Sequence, residues 1–364
     1  MNRHRLLDTF LGSAFLAAAL LTAPHAVAAS SWDFQLDITA RYDDNITELS
    51  DTDRDRVGQP AYADRFRIET PDDFIVSPAG RVEWSRRSVA DRESSVRITA
   101  AVNHYVRNSV KSYETYGVRF SQDLVPRRRF GTTLILRAGL TPSYYLRELT
   151  VPEASRLAGV TVRDSAQYSS TAYSLGLRQV LVPKLLDLTL SAGREPRDYD
   201  DPFNERDGDL TGILAELSWT PLASRRLELQ GGYRYESYDA RGDNAATLAL
   251  EPDISSDRST ASLGASFHWG SKKRRGEIGL SLERETRDFL SDTPADVYHF
   301  GRKDTRSQAV LTVRQGLGAD LWVNAGLSRE TNDSRLGPSA PSTPGDDVTD
   351  YTHQVVSASL SWRF

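Results

Sequence analysis

The stretch that decides the fold closes the chain: Val356-Ser-Ala-Ser-Leu-Ser-Trp-Arg-Phe364. Val356, Ala358, Leu360, Trp362 and Phe364 alternate with Ser357, Ser359, Ser361 and Arg363. In an extended chain one face is therefore apolar and the other polar, the two-residue period of a β-strand. Alone, such a strand suits a sandwich as well as a barrel. The recurrence of the pattern and the lengths of the connections separate the two.

The pattern recurs along the chain. Fourteen strand-like segments are read at 32–43, 73–85, 95–106, 114–125, 131–145, 168–181, 185–196, 210–220, 226–238, 258–269, 276–289, 305–316, 320–331 and 351–364. Each is long enough for a tilted crossing of about 9–11 residues. Trp32, Phe34, Leu36 and Ile38 share one face of the first, and Leu186, Leu188, Leu190 and Ala192 share one face of the seventh. Six even-to-odd connections are short. The odd-to-even connections are long except 107–113. Short turns at one end and long loops at the other describe an up-and-down transmembrane β-barrel. Within the first long loop, Tyr62, Asp64, Phe66 and Ile68 also alternate. They are read as extending a hairpin above the membrane; if they are a crossing strand, the topology changes and the count is 16 rather than 14.

The tryptophans support a lipid-facing surface. Trp32, Trp84, Trp219, Trp269 and Trp362 all fall at the short-turn ends of segments. An indole has an apolar body and a polar tip, so it settles at a membrane interface. Trp322 lies at the same end but off the apolar face. Tyr42, Tyr144, Tyr145, Tyr199, Tyr235, Tyr238, Tyr298 and Tyr351 lie near the opposite ends and are expected to form a second girdle.

An apolar face turned outward fixes its complement inward. Arg81, Arg97, Arg119, Arg137, Arg178, Glu216, Glu228, Arg234, Glu236 and Arg314 are the lumen-facing candidates. An arginine on the lipid face at mid-depth costs about 2–4 kcal/mol. Several of them outward would exceed the 5–15 kcal/mol by which a typical fold is stable.

The beginning of the chain has the layout of a secretory signal. Arg3, His4 and Arg5 precede an apolar run from Leu11 to Leu21, and Ala26-Val27-Ala28 supplies the small residues of a cleavage site. Residues 1–28 are read as a signal peptide and 29–364 as the barrel. There is no cysteine, which excludes disulfides, thiolate catalysis and cysteine metal sites. The mean hydropathy is −0.48, compatible with strands in which only every second residue is apolar. With 45 basic and 50 acidic residues, the chain has no cationic surplus to attract nucleic acid.

No catalytic constellation, metal site or cofactor motif stands out. His104, His268, His299 and His353 lie in no hydrolase or metal-ligand spacing. Asp51-Thr-Asp53-Arg-Asp55-Arg-Val-Gly58 carries alternating acids, but Arg56 occupies the sixth position and Tyr62 the twelfth, where a calcium loop needs Gly and Glu. The chain reads as no enzyme.

The terminal strand ending in Phe364 resembles the insertion signal of bacterial outer-membrane barrels. Ala40-Arg-Tyr42-Asp43-Asp44-Asn45-Ile46, at the close of the first strand, is similar to the outer-membrane β-barrel porins often associated with exopolysaccharide gene clusters. That resemblance implies an outer-membrane location and a role in carbohydrate export or small-solute permeation. It implies outer-membrane lipid and lipopolysaccharide, the barrel-assembly machinery and polysaccharide as partners, and no catalytic residue. The competing expectation is a non-conducting surface barrel that acts through its long acidic loops.

Overall fold

In the computed structural model the described residues are 27–364, apart from 89–90, 127–129, 222–225, 243–251, 272–273, 295, 297 and 338–349. The expected leader lies outside them except for Val27 and Ala28, which open the first strand. The basic turn residues Arg127, Arg128, Arg129, Lys272 and Lys273 also lie outside them.

Fourteen strands follow one another: β1 Val27–Asp43, β2 Asp73–Ser88, β3 Glu93–Tyr105, β4 Tyr113–Val125, β5 Thr132–Thr150, β6 Arg163–Val182, β7 Leu186–Tyr199, β8 Gly208–Trp219, β9 Leu227–Ala240, β10 Ser256–Ser271, β11 Arg274–Phe289, β12 Lys303–Gly316, β13 Leu321–Arg335 and β14 Tyr351–Arg363. Each pairs antiparallel with its sequence neighbours, and β1 pairs with β14 from Gln35↔Arg363 to Asp43↔Val355. The sheet is a closed 14-stranded transmembrane β-barrel with no open edge.

The alternation seen in sequence becomes two cylindrical surfaces. Leu36, Ile38, Ile98, Leu175, Leu190, Ile213, Leu263, Leu280, Leu327, Val356 and Leu360 are all exposed. Register puts them on one face: Ile38↔Leu360 and Leu263↔Leu282, for example, are opposite one another. A soluble fold buries such side chains; here they form a belt suited to hydrocarbon. On β11 the belt runs Ile278, Leu280, Leu282 and ends at Arg284; on β13 it runs Val323, Ala325, Leu327 and ends at Arg329.

Several strands extend past their expected long-loop ends. β5 reaches Thr150 and β6 begins at Arg163. Register shifts between Thr141 and Tyr144 and between Tyr145 and Arg147 explain why. Each bulge resets the two-residue phase, so the pattern dissolves although the ladder continues.

Two expectations are corrected at that end. Residues 62–68 form no strand. The loop instead holds a short helix, α1, Asp51–Arg56, capped by Ser50, and a 3-10 turn, Pro60–Tyr62. Asp53 accepts from Arg56 at 3.0 Å and from Arg65 at 2.6 Å, tying the loop to itself, so the count is 14. Nor do the tyrosines form one outer girdle. Tyr42 and Tyr235 are exposed, but Tyr145, Tyr199, Tyr238 and Tyr351 are buried. The strands continue beyond Tyr145 and Tyr238, and parity turns Tyr199, Tyr238 and Tyr351 away from the apolar belt.

Candidate functional site

The lumen is the candidate site. All ten charged candidates occupy the face that alternates with the apolar belt. Arg97 stands opposite Arg119, and Arg119 opposite Arg137. Arg178 pairs with Thr189, which pairs in turn with Glu216. Glu228, Arg234 and Glu236 share one side of β9, opposite Ser266, Thr260 and Arg258. Arg81 and Arg314 line a cavity of about 900 Å³ at the short-turn end, together with Arg226, Arg275, Arg363, His268 and Glu277.

Ion pairing among these residues is uneven. Arg97 reaches Glu83 at 2.7 Å, and Arg178 reaches Asp187 at 2.5 Å. Across the barrel, Arg306 lies 3.2 Å from Glu285, 3.5 Å from Glu283 and 3.8 Å from Glu330. Arg314 and Arg275 instead lie over the Trp322 ring, at 4.3 and 5.3 Å from its centroid. Trp322 faces inward, opposite Ser361. Trp32, Trp219 and Trp362 are exposed on the outer face, and Trp84 lies opposite Trp32 on it. Trp269, opposite Gly276, shares the outer parity of Phe267. Phe364 is exposed, donates its backbone N–H to the Phe34 carbonyl, and sets its ring against Trp362 in a tilted contact, 4.6 Å between centroids.

The first loop closes over part of the opposite end. Ile46, Leu49 and Ile68 bury themselves against Ile75 of β2, Tyr105 of β3 and Tyr145 of β5. By register Ile75 and Tyr105 face inward. Glu48, Glu330 and His353 bring ligand-type atoms within 4.8 Å of one another, which places Glu48 inside the β13–β14 wall. From there the loop reaches β6, where Asp64 meets Arg163 at 2.9 Å. It therefore crosses the mouth. Sequence reasoning missed this, because the pairing residues lie 99 positions apart.

An inward row of tyrosines lies at the same level. Tyr113, Tyr144, Tyr168 and Tyr199 follow one another across β4 to β7 at centroid spacings of 5.0, 5.4 and 5.1 Å. Arg197 sits over Tyr168 and Tyr238. Leu149, Ala166 and Phe203 complete a second cluster with Tyr199.

Among the described residues, His104, His268, His299 and His353 each have their own surroundings. His104 lies on the outer face near the long-loop end, opposite Val76. His268 is 3.7 Å from Glu277, His299 is buried 2.8 Å from Asp296, and His353 is 2.9 Å from Asp43. Asp43, Asp44 and His353 could hold a cation. However, Asp43 already accepts from Asn45 and His353, and Asp44 from Gln354.

No protein-family model matches the chain, and no curated protein matches it in sequence. Solved structures resemble it in outline. A bacterial polysaccharide outer membrane secretin aligns at 11% identity and TM-score 0.42, covering 91% of this chain and 98% of that one. An anion-selective porin from Comamonas acidovorans aligns at 10% identity and TM-score 0.45, covering 92% and 99%. A mutant of the TodX monoaromatic hydrocarbon channel aligns at 10% identity and TM-score 0.45, covering 95% and 92%. Strand count, closure and register rest on the chain's own hydrogen bonding.

Proposed function

We propose that this chain is an outer-membrane barrel acting as a passive, porin-like conduit for small polar solutes. The observation that carries this reading is the cavity of about 900 Å³ inside a closed barrel, lined by Arg81, Arg226, Arg275, Arg314 and Glu277. A barrel that needed only stiffness would pair such charges or replace them with packed apolar side chains. Fourteen strands also exceed the eight that side chains alone can fill. On this reading the short turns face the periplasm and the long loops the exterior, the usual outer-membrane orientation. Lipopolysaccharide surrounds the belt, and the barrel-assembly machinery reads the terminal strand.

The crossing loop favours small solutes over a polymer. The tyrosine row could stack sugar rings, but Tyr199 is buried within one apolar cluster, Tyr168 packs against that cluster, and Tyr113 packs against the other. Polysaccharide export, implied by the family resemblance, would require residues 46–68 to leave the mouth. The same clusters support a second reading, a non-conducting barrel whose loops bind a partner.

Planar-bilayer recording of the purified full chain decides between them. A conduit gives stepwise conductance, reduced by polyethylene glycols small enough to enter. Deletion of residues 47–68 raises the conductance and the size limit. A sealed bilayer with well-folded protein would overturn the conduit reading and leave the second.

A further inference from the structure

The charge on the inner wall is not evenly distributed. Arg97, Arg119 and Arg137 are consecutive cross-strand partners on β3, β4 and β5. Side chains directly opposite in an antiparallel pair have Cβ atoms about 4.5–5.5 Å apart, and like charges there are destabilising. Arg97 is neutralised by Glu83 at 2.7 Å. Arg119 and Arg137 have no hydrogen bond or ion pair among the described residues. Arg119 is half-buried and Arg137 exposed, so both guanidinium groups reach luminal water.

The next inward row toward the long loops is Thr99, Gly117, Gly139 and Ala172, opposite one another in turn. Gly139 leaves the space beside the Arg137 guanidinium without a side chain, and over Gly117 the small Thr99 side chain leans in. A Cβ at Gly117 would stand 2.7 Å from Thr99 Oγ1, and one at Gly139 would meet Ala172 Cβ at 3.8 Å. A second observation agrees. The cavity at the short-turn end is lined by five arginines and one carboxylate, Glu277. Arg363 there is held by Asp33, while Arg275 and Arg314 rest on an aromatic ring rather than on an acid.

We infer that Arg119 and Arg137 form a binding step for a compact oxyanion, a carboxylate or phosphate, approached through the cationic cavity. A planar guanidinium offers parallel N–H donors that match two oxygens of such a group. The anion supplies the countercharge this pair lacks. The transport part of the inference rests on the conduit reading; the binding part stands on the geometry alone.

The test has two arms. In bilayers under a potassium chloride gradient, the wild type is expected to pass chloride over potassium. Arg119→Gln/Arg137→Gln should lower that ratio by roughly threefold to tenfold, with the pore still open. Conductance with no anion preference, or a preference unchanged in the variant, overturns the inference while the conduit survives. If no conductance appears, the conduit reading fails, and calorimetric titration of the detergent-solubilised full chain decides the inference. Inorganic phosphate and succinate are the probes and separate the two anion sources. Saturable binding of either, lost in the Gln pair and weakened roughly tenfold in Arg119→Lys/Arg137→Lys, supports the site. Equal binding in wild type and variants, or none, overturns it.

Discussion

Lys111 Nζ donates to the backbone carbonyl of Tyr145 at 3.2 Å, in a site almost closed to water. It also donates to the Leu146 carbonyl at 3.4 Å and lies over the Tyr144 ring at 5.1 Å. Lys111 ends the short turn Ser109–Lys111 between β3 and β4, so it clamps that turn to β5. Burial pushes its ammonium down to about 8. An unfolded lysine titrates near 10.4. Between those values the unfolded chain holds the proton and the folded chain has shed it. Stability therefore rises with pH across this window, by up to about 1.4 kcal/mol per unit. Subtracting the denaturation curves of Lys111→Met from those of the wild type isolates the effect from the tyrosines. Parallel curves from pH 8 to 9.5 would refute it.

The two-faced wall makes a prediction at adjacent residues. Leu360 lies on the apolar belt and is exposed; Ser359 faces inward, where Asn324 donates to it at 2.8 Å. Leu360→Arg should cost about 2–4 kcal/mol and Ser359→Arg less than about 1 kcal/mol. Urea unfolding in lipid vesicles, followed by tryptophan emission, measures both. Equal costs would mean that the faces are assigned wrongly.

Two glycines differ in the same manner. A Cβ at Gly208 would lie 2.3 Å from the Asp239 carbonyl oxygen and 2.9 Å from Ala240 Cα, both backbone atoms. A Cβ at Gly231 would meet only Leu263 Cδ2, at 3.9 Å. Gly208→Ala should destabilise by roughly 1–3 kcal/mol, since backbone cannot move aside cheaply. Gly231→Ala should be neutral or slightly stabilising. The temperature at which each variant loses its fast-migrating folded band on a gel ranks them.

The first loop depends on one carboxylate. Asp53 is buried and holds both Arg56 and Arg65. Removing one member of a buried pair typically costs 3–5 kcal/mol. Asp53→Asn should release the segment around residues 57–66, and limited proteolysis should cut there while the barrel stays intact. An uncut loop would show that the apolar cluster of Ile46, Leu49 and Ile68 suffices.

Strand number and wall polarity were legible because hydrogen bonding to sequence neighbours requires no distant information. Alternation such as Leu186, Leu188 and Leu190 reports directly which side is wet. Legibility failed where the phase slips: the bulges at Thr141/Tyr144 and Tyr145/Arg147 hide the last turn of β5. It failed again where partners are remote. Nothing near Asp64 announces Arg163, and nothing near Glu48 announces Glu330 and His353. The inward arginines could be picked out one by one, but the adjacency of Arg97, Arg119 and Arg137 is a matter of register, set by the turns on either side of β4.

The pairing of β1 with β14 joins the first-made strand to the last. The ring therefore cannot shut until β14 has been made, and closure brings together residues more than 300 positions apart, the slowest kind of contact to form. A chain lacking the 13 residues of β14 would not be a slightly smaller cylinder. It would be a gutter with two raw margins, each exposing amide groups that hydrocarbon cannot satisfy.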